Sequence, residues 1–377
     1  MERRTVGVVV NPVAGMGGPV GLKGTDGATT LAEARARGAV ATAPERARRA
    51  LARLAAEAPD AAVLVAPGVL GAEAATAAGL HPVPIGPDPT GEATTAADTR
   101  AAAAAFAARD VDLILFAGGD GTARDVLDTV GGRVPVLGIP TGVKMHSAVF
   151  ARSPEAAGNL AGLYLGRGRA QVRLREAEVM DIDEDAVRAG RVSARLHGYV
   201  RTPYERSLVQ NAKAGPRVSD EEAAAAIAAA FAREMEPGTL HLLGPGTTCR
   251  RVAEALGLEG TLLGVDAVRD GRLVGRDLTR GQIAALLADG GPARIVVSVT
   301  GGQGFLFGRG NQQFGPEILR RVGRENVVVL TTMEKLLSLA EPRLFVDTGD
   351  PETDRALAGW IRVRTGPDRS TMMKVAA

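Results

Sequence analysis

The sequence predicts an α/β protein: an N-terminal parallel-sheet domain over residues 1–165, then a mixed domain over residues 166–377 with antiparallel strands and further α/β units. Three observations predict it. Short apolar runs alternate with Ala-rich helical stretches in the first part, the pattern of a parallel sheet covered by helices on both faces. Two of those runs, Val111–Phe116 and Val134–Ile139, are almost wholly apolar, as expected of strands buried on both faces. Glycine-rich loops directly follow several predicted strands.

Taken in order, Thr5–Val10 is a β-branched run ending at Asn11-Pro12, a strand and then a loop. Residues 44–57 read as a helix opened by Pro44. Ala61–Ala66 is a strand cut off by Pro67-Gly68, residues 69–79 a short helix, and His81–Ile85 a short strand. A long Ala-rich helix over residues 92–108 precedes Val111–Phe116. A helix at Thr122–Val130 and the strand Val134–Ile139, stopped by Pro140, complete this part. After about residue 165 the character changes. Gln171–Asp183 and Arg191–Val200 read as longer, charged, antiparallel strands. Residues 219–235 read as a helix, with Ser219 and Glu222 spaced as a capping box. Strands are then expected at Thr239–Leu243, Thr261–Val265, Arg294–Val299, Asn326–Leu330 and Arg343–Val346. Helices near 247–257, 279–289, 315–322, 332–340 and 351–359 lie between and after them.

Composition narrows the function. Apolar residues make up 45% of the 377 but aromatics only 3%, so the core must be built from Val, Leu, Ile and Ala. A net charge of +2 gives no reason to expect a nucleic-acid partner. Only five of the 45 basic residues are Lys, and the scattered arginines read as solvated faces. The single cysteine, Cys249, permits no disulfide within the chain and reads as a buried small residue. Four histidines without metal-type spacing argue against a zinc site. No apolar run approaches the roughly 18 residues of a membrane span, and the N-terminus lacks a signal-peptide pattern. A cytoplasmic protein without a membrane partner is the expectation.

The chemistry is expected in the loops. In Gly118-Gly119-Asp120-Gly121-Thr122 a buried strand ends in glycines and a helix begins. Curled backbone N–H groups and the positive end of a helix together make a site for phosphates. A carboxylate there is costly unless it holds Mg²⁺ or accepts a proton from an attacking hydroxyl. The competing reading is a tight turn with Asp120 as a helix cap. The loop Asn11–Gly27 offers Asn11 and Gly17, with Lys23 for a phosphate and Asp26 for Mg²⁺, or else it is a solvated loop. Lys144, His146 and Ser147 are candidates for substrate or phosphate contact. Glu178 and Asp181 are candidates for cation or ribose binding, against a solvated strand face. Gly246 and Thr247 sit in a second strand-to-helix cradle, Gly244–Thr248. Gly302 and Gln303 lie in the loop Gly301–Gln313, in which Arg309, Asn311 and Gln312 are a donor-rich group suited to phosphate or adenine.

These residues also resemble a known family. The Gly-Gly-Asp-Gly-Thr motif after an apolar strand resembles the NAD kinase and diacylglycerol kinase superfamily. Asn11–Gly18, Leu22–Gly27, Gly138–Ser147, Glu178–Asp183, Leu243–Thr248 and Gly301–Gln313 resemble its ATP–NAD kinase-like branch, which includes the AcoX proteins. The resemblance spans about residues 5 to 350. It implies an NAD kinase/phosphofructokinase-like N-terminal domain and ATP, with Mg²⁺ carried through phosphates, as cofactors. It implies Asp120 as general base for a ribose 2′-hydroxyl, with Gly118, Gly119, Gly121 and Thr122 lining phosphates. It further implies nucleotide substrates, NAD first among them, and a homo-oligomer. Gly301 stands where the family's Asp-Gly-Gln loop has Asp, and the Asn-Glu pair that holds NAD has no copy here. The expected function is therefore an ATP- or polyphosphate-dependent kinase of NAD. The alternatives are a kinase of another phosphate-bearing cofactor, AcoX-like, and a non-catalytic nucleotide-binding regulator.

Overall fold

The computed structural model describes residues 4–22, 28–89, 94–142, 145–166, 172–182, 194–205, 218–300, 303–339 and 341–377. The chain divides into two compact units, Met1–Met16 with Gly24–Ala212, and Gly17–Lys23 with Lys213–Ala377.

The first unit is built on five parallel strands: β1 (Thr5–Val10), β2 (Ala62–Val65), β3 (Val83–Pro84), β4 (Leu113–Gly118) and β5 (Val136–Pro140). Their order is β3-β2-β1-β4-β5. Helices α1 (Ala28–Ala36), α2 (Ala43–Glu57), α3 (Ala72–Ala77), α4 (Ala96–Ala107), α5 (Asp120–Val130) and α6 (Pro154–Leu165) connect or follow them. Every residue of β4 is buried, because alternate side chains enter two different cores. Val8, Leu115 and Leu137 pack with α2 and α6 through Leu51, Leu54 and Leu160. Val9, Ile114 and Phe116 face the other way, against Phe106 of α4 and Val126 of α5.

Small residues set the helix spacing. A Cβ on Gly158 would fall 2.1 Å from the Ala50 carbonyl oxygen, and one on Gly162 would fall 2.4 Å from Glu57 Cβ. These two glycines, one turn apart on α6, let α2 approach to backbone contact.

An antiparallel ribbon, β6 (Arg173–Ile182) with β7 (Ala194–Tyr204), completes this unit. Its Ala177, Val179 and Val200 join the core that holds Val126, and His197 Nε2 pairs with Asp128 Oδ1 on α5 at 2.7 Å. The ribbon, which begins after residue 165, thus folds with the first unit.

The second unit carries a nine-stranded sheet in the order β10-β9-β8-β11-β13-β15-β16-β14-β12. Its strands are β8 (Leu240–Leu243), β9 (Asp266–Arg269), β10 (Arg272–Gly275), β11 (Ala293–Val297), β12 (Phe305–Phe307), β13 (Val327–Leu330), β14 (Arg343–Val346), β15 (Gly359–Arg364) and β16 (Ser370–Ala376). Strands β8, β11, β13 and β15 pair parallel, while β9 runs antiparallel to β8 and β10, and β16 to β15. One face packs on α7 (Val218–Arg233) and α8 (Thr247–Ala255) through Ile227, Phe231, Cys249 and Val252. The other packs on α9 (Arg280–Leu286) and α10 (Pro316–Val322) through Ile283, Ile318 and Leu319. The helices α11 (Met333–Leu337) and α12 (Pro351–Leu357) are short. Gly17–Lys23 belongs here: the Arg280 amide donates to the Pro19 carbonyl at 3.1 Å. Cys249 is buried, and burial pushes its thiol up to about 12. Among the described residues, no helix is long and apolar enough to cross a membrane.

The structure corrects one expected strand. Thr261–Val265 is a loop, and the strand is Asp266–Arg269. The cause is the Asp266 carboxylate, which accepts from the Thr261 amide at 2.6 Å, the Thr261 hydroxyl at 3.0 Å and the Asp277 amide at 2.9 Å. Those bonds hold the apolar segment between Thr261 and Asp266 as a loop. The β15–β16 hairpin was not anticipated, although Gly359–Arg364 alternates and the turn Gly366-Pro367-Asp368 follows.

Two measurements check this packing. Helix propensity alone makes Gly158→Ala stabilising by about 1 kcal/mol. Overpacking against Ala50 opposes it with about 1–3 kcal/mol, so urea denaturation is expected to show a net loss of stability. A gain would refute the close α2–α6 contact. His241 provides the second. It is buried, its Nδ1 lies 3.1 Å from the Thr239 carbonyl oxygen, and its Nε2 has no partner. Burial holds its pKa below the ordinary value, partly opposed by the Thr239 hydrogen bond. The unfolded chain therefore binds the extra proton, so stability is lost as pH falls below about 6.5. His241→Phe should flatten that slope in melting curves between pH 5 and 7; an unchanged slope would remove His241 as its source.

Candidate active site

In the first unit the strand order reverses between β1 and β4, the place where open parallel sheets bind ligands beyond their strand ends. The three loops that leave β1, β4 and β5 meet there. The Asn11 amide donates to the Ala117 carbonyl at 2.9 Å. Asn11 Oδ1 accepts from the Val13 amide at 3.2 Å, and its Nδ2 donates to Thr122 Oγ1 at 3.2 Å. The Thr141 amide donates to the Gly118 carbonyl at 3.1 Å. A Cβ on Gly142 would lie 2.9 Å from Gly119 Cα, so only glycine allows these two loops to touch.

Asp120 is the first residue of α5, and Gly119 occupies the cap position. The carboxylate is buried and reaches the loop after β5. Its Oδ2 accepts from the His146 amide at 2.7 Å. Its Oδ1 accepts from the Ser147 amide at 3.0 Å and from the Ser147 hydroxyl at 2.5 Å. The capping role expected in a simple tight turn thus falls to Gly119. Ser147 Oγ in turn accepts from the Met180 amide at 2.9 Å, and the Ala148 amide donates to the Glu178 carbonyl at 2.8 Å.

The first unit therefore gathers Asn11, Gly118, Gly119, Asp120, Gly121, Thr122, His146, Ser147 and Glu178 into one region. His146 enters through its backbone and Glu178 through its carbonyl. Asp181 lies on β6, and its side chain is outside the described atoms. Lys23, Asp26, Lys144 and Gly302 lie outside the described residues. One group was missed. Thr141, 6% exposed, has a hydroxyl without a hydrogen-bond partner at the meeting of the three loops. Its place between Pro140 and Gly142, directly after a strand, was the available signal.

The remaining candidates belong to the second unit. Gly17 is buried, and its carbonyl accepts from the Leu22 amide at 2.8 Å. Gly246 has φ 121 and donates to the Leu262 carbonyl at 2.8 Å, and Thr247 opens α8. Beside it, Thr248 Oγ1 receives Ser298 Oγ at 3.3 Å and Lys335 Nζ at 3.4 Å. Burial lowers the Lys335 pKa, opposed by Asp220 and Cys249. Arg309 pairs with Asp347 at 3.2 Å, both buried, and lies over the Phe305 ring. Asn311 Nδ2 donates to the Leu306 carbonyl at 2.7 Å, its Oδ1 accepts from the Gly308 amide at 3.0 Å, and Gln312 Nε2 donates to the Gly308 carbonyl at 3.3 Å. Gln303 is buried, its amide donating to the Thr300 carbonyl at 3.2 Å. Phe314 brings this stretch back to the β8 loop, its Cε2 3.2 Å from where a Gly244 Cβ would sit.

The first site suits a phosphate-bearing ligand. Its loops touch through glycines, a helix begins there without a side-chain cap, and an orphaned buried hydroxyl lies beside it. Among the described residues, no group of three or more His, Cys, Asp or Glu side chains could hold a metal ion. The pattern of the ATP-NAD kinase N-terminal domain matches residues 6–168, and that of the ATP-NAD kinase C-terminal domain matches residues 238–375. No curated protein and no solved structure matches.

The hydrogen bonds to Asp120 predict a stability cost separate from any activity. Asp120→Ala strips two buried amides of their acceptor, at about 1–3 kcal/mol each. Urea denaturation is expected to show a loss of about 2–6 kcal/mol, and a smaller loss for Asp120→Asn, which keeps an acceptor oxygen. Equal stability of Asp120→Ala and wild type would mean that the carboxylate does not hold this loop.

Proposed function

Because the chain belongs to the ATP-NAD kinase family, we propose that it is a kinase that transfers the terminal phosphoryl group of ATP, or of polyphosphate, to the ribose 2′-hydroxyl of NAD. The observation that carries this reading is the Asp120 carboxylate, buried at the strand-order reversal on the first turn of α5 and oriented by His146 and Ser147. A carboxylate where phosphates bind is unfavourable unless it handles a proton or a cation.

In the proposed reaction the acceptor hydroxyl oxygen attacks the terminal phosphorus. The new P–O bond forms as the bond to the bridging oxygen breaks. The leaving ADP, or the shortened polyphosphate, takes that electron pair, and the hydroxyl proton passes to the Asp120 carboxylate. Gly118, Gly119, Gly121 and Thr122 would present backbone donors to the phosphates, with Asn11 holding Thr122 in place. The Thr141 hydroxyl would find its missing partner on the same ligand. Mg²⁺ bound through the phosphate oxygens would neutralise charge on the transferring group.

A second reading keeps this chemistry and changes the acceptor to another phosphate-bearing cofactor or metabolite, the AcoX-like alternative. What favours it is the absence of the family's Asn-Glu pair, together with Gly301 in place of an Asp.

Incubation of the pure protein with ATP or polyphosphate, Mg²⁺ and NAD is expected to yield NADP⁺. Asp120→Asn is expected to lower kcat by about 10²–10⁴-fold, the usual contribution of a general base. Phosphorylation of another acceptor in a metabolite panel, with none of NAD, would replace the first reading by the second. Nucleotide binding by calorimetry without turnover of any acceptor would leave a binding protein and end both.

A further inference from the structure

We infer that Ser147 is a positioning residue that orients the Asp120 carboxylate and couples it to strand β6. This rests on the reading of Asp120 as proton acceptor given above.

The argument starts from the inventory of one hydroxyl. Ser147 is fully buried. A serine hydroxyl has one proton to give and lone pairs to receive. Here the lone pair side takes the Met180 amide at 2.9 Å, and the proton goes to Asp120 Oδ1 at 2.5 Å. The Met180 amide stops the hydroxyl from rotating, so its donor direction is set by β6. The Ser147 amide grips the same carboxylate oxygen at 3.0 Å, while the His146 amide holds the other at 2.7 Å. With both functions of its hydroxyl engaged inside the protein, Ser147 acts on Asp120 rather than on a ligand.

The next residue extends the link. The Ala148 amide donates to the Glu178 carbonyl at 2.8 Å, and Arg175 Nη2 donates to the Ala148 carbonyl at 3.3 Å. Residues 147 and 148 are thereby stitched along β6. A shift of β6, the strand that carries Glu178 and Asp181, reaches the carboxylate through the Ser147 side chain.

A proton acceptor displaced by a fraction of an ångström loses rate without losing ligand affinity. Ser147→Ala is therefore expected to lower kcat by about 10- to 100-fold, with unchanged ATP affinity by calorimetry and unchanged KM for the acceptor. Ser147→Thr, which keeps the hydroxyl, should restore most of the rate. Rates are compared per folded molecule, from melting curves. In the Asp120→Asn background, adding Ser147→Ala should cost no further kcat, because the hydroxyl works through the carboxylate. A purely structural serine would instead lower melting temperature and leave kcat per folded molecule intact, which overturns the proposal. So does an additive double variant. Activity retained by Asp120→Asn would sink the reading of Asp120 itself, independently of Ser147.

Hydrogen–deuterium exchange supplies a readout free of turnover. The Met180 amide should be protected in the wild type and exchange faster in both Ser147→Ala and Asp120→Ala. Unchanged exchange at Met180 in Asp120→Ala would remove the coupling.

Discussion

The Asp120 carboxylate, with three donors from His146 and Ser147 converging on it, is the constraint on which the first unit's site depends. It ties together the start of α5, the loop after β5 and, through Ser147, the ribbon strand β6. A negative charge on the first turn of a helix is favoured by the helix dipole, and the two amides and one hydroxyl add charge-assisted hydrogen bonds. These terms offset the cost of burying a carboxylate where phosphates are expected. The same bonds give the group a defined direction, which a proton acceptor needs before a substrate arrives.

Around that point the protein works with small residues. A chain with 48 glycines and 3% aromatics cannot fill space with rings, so its helices and loops close up instead. On α6 this produces backbone-level contact with α2, and at the site it produces the touch between Gly119 and Gly142. Fold and site thus share one device, the missing Cβ at a contact. The second unit shows the opposite use of polar residues. Arg309, Asn311 and Gln312 have the donor content of a ligand loop, and among the described residues Arg309 pairs with Asp347 while Asn311 and Gln312 donate to nearby carbonyls. A buried ion pair of this kind specifies a loop conformation and contributes little net stability.

Much of this was legible beforehand because it rests on local pattern. The strand-to-helix junction at Gly118–Thr122 could be read from an apolar run meeting glycines, and burial on both faces of β4 followed from its composition. Lys335 was not legible. It is one of five lysines and lies far along the chain from Thr248, the group it touches. Thr261–Val265 misled for a related reason: its apolar character suits a strand, but Asp266 and Thr261 bond to each other across it.

The sequence by itself determined the α/β class and the positions of the glycine loops, and it singled out Asp120 as a candidate carboxylate within one of them. Each follows from hydrophobic periodicity and from backbone freedom, properties that neighbouring residues carry with them. Only the tertiary structure decided what Asp120 holds. Its partners lie at positions 146 and 147, and theirs on β6 at 178 and 180. A serine whose hydroxyl is consumed by a carboxylate reads the same in sequence as one that meets a ligand. The difference lies in which groups the sheet order brings within 3 Å, and hydrogen bonding is satisfied in space, without regard to distance along the chain.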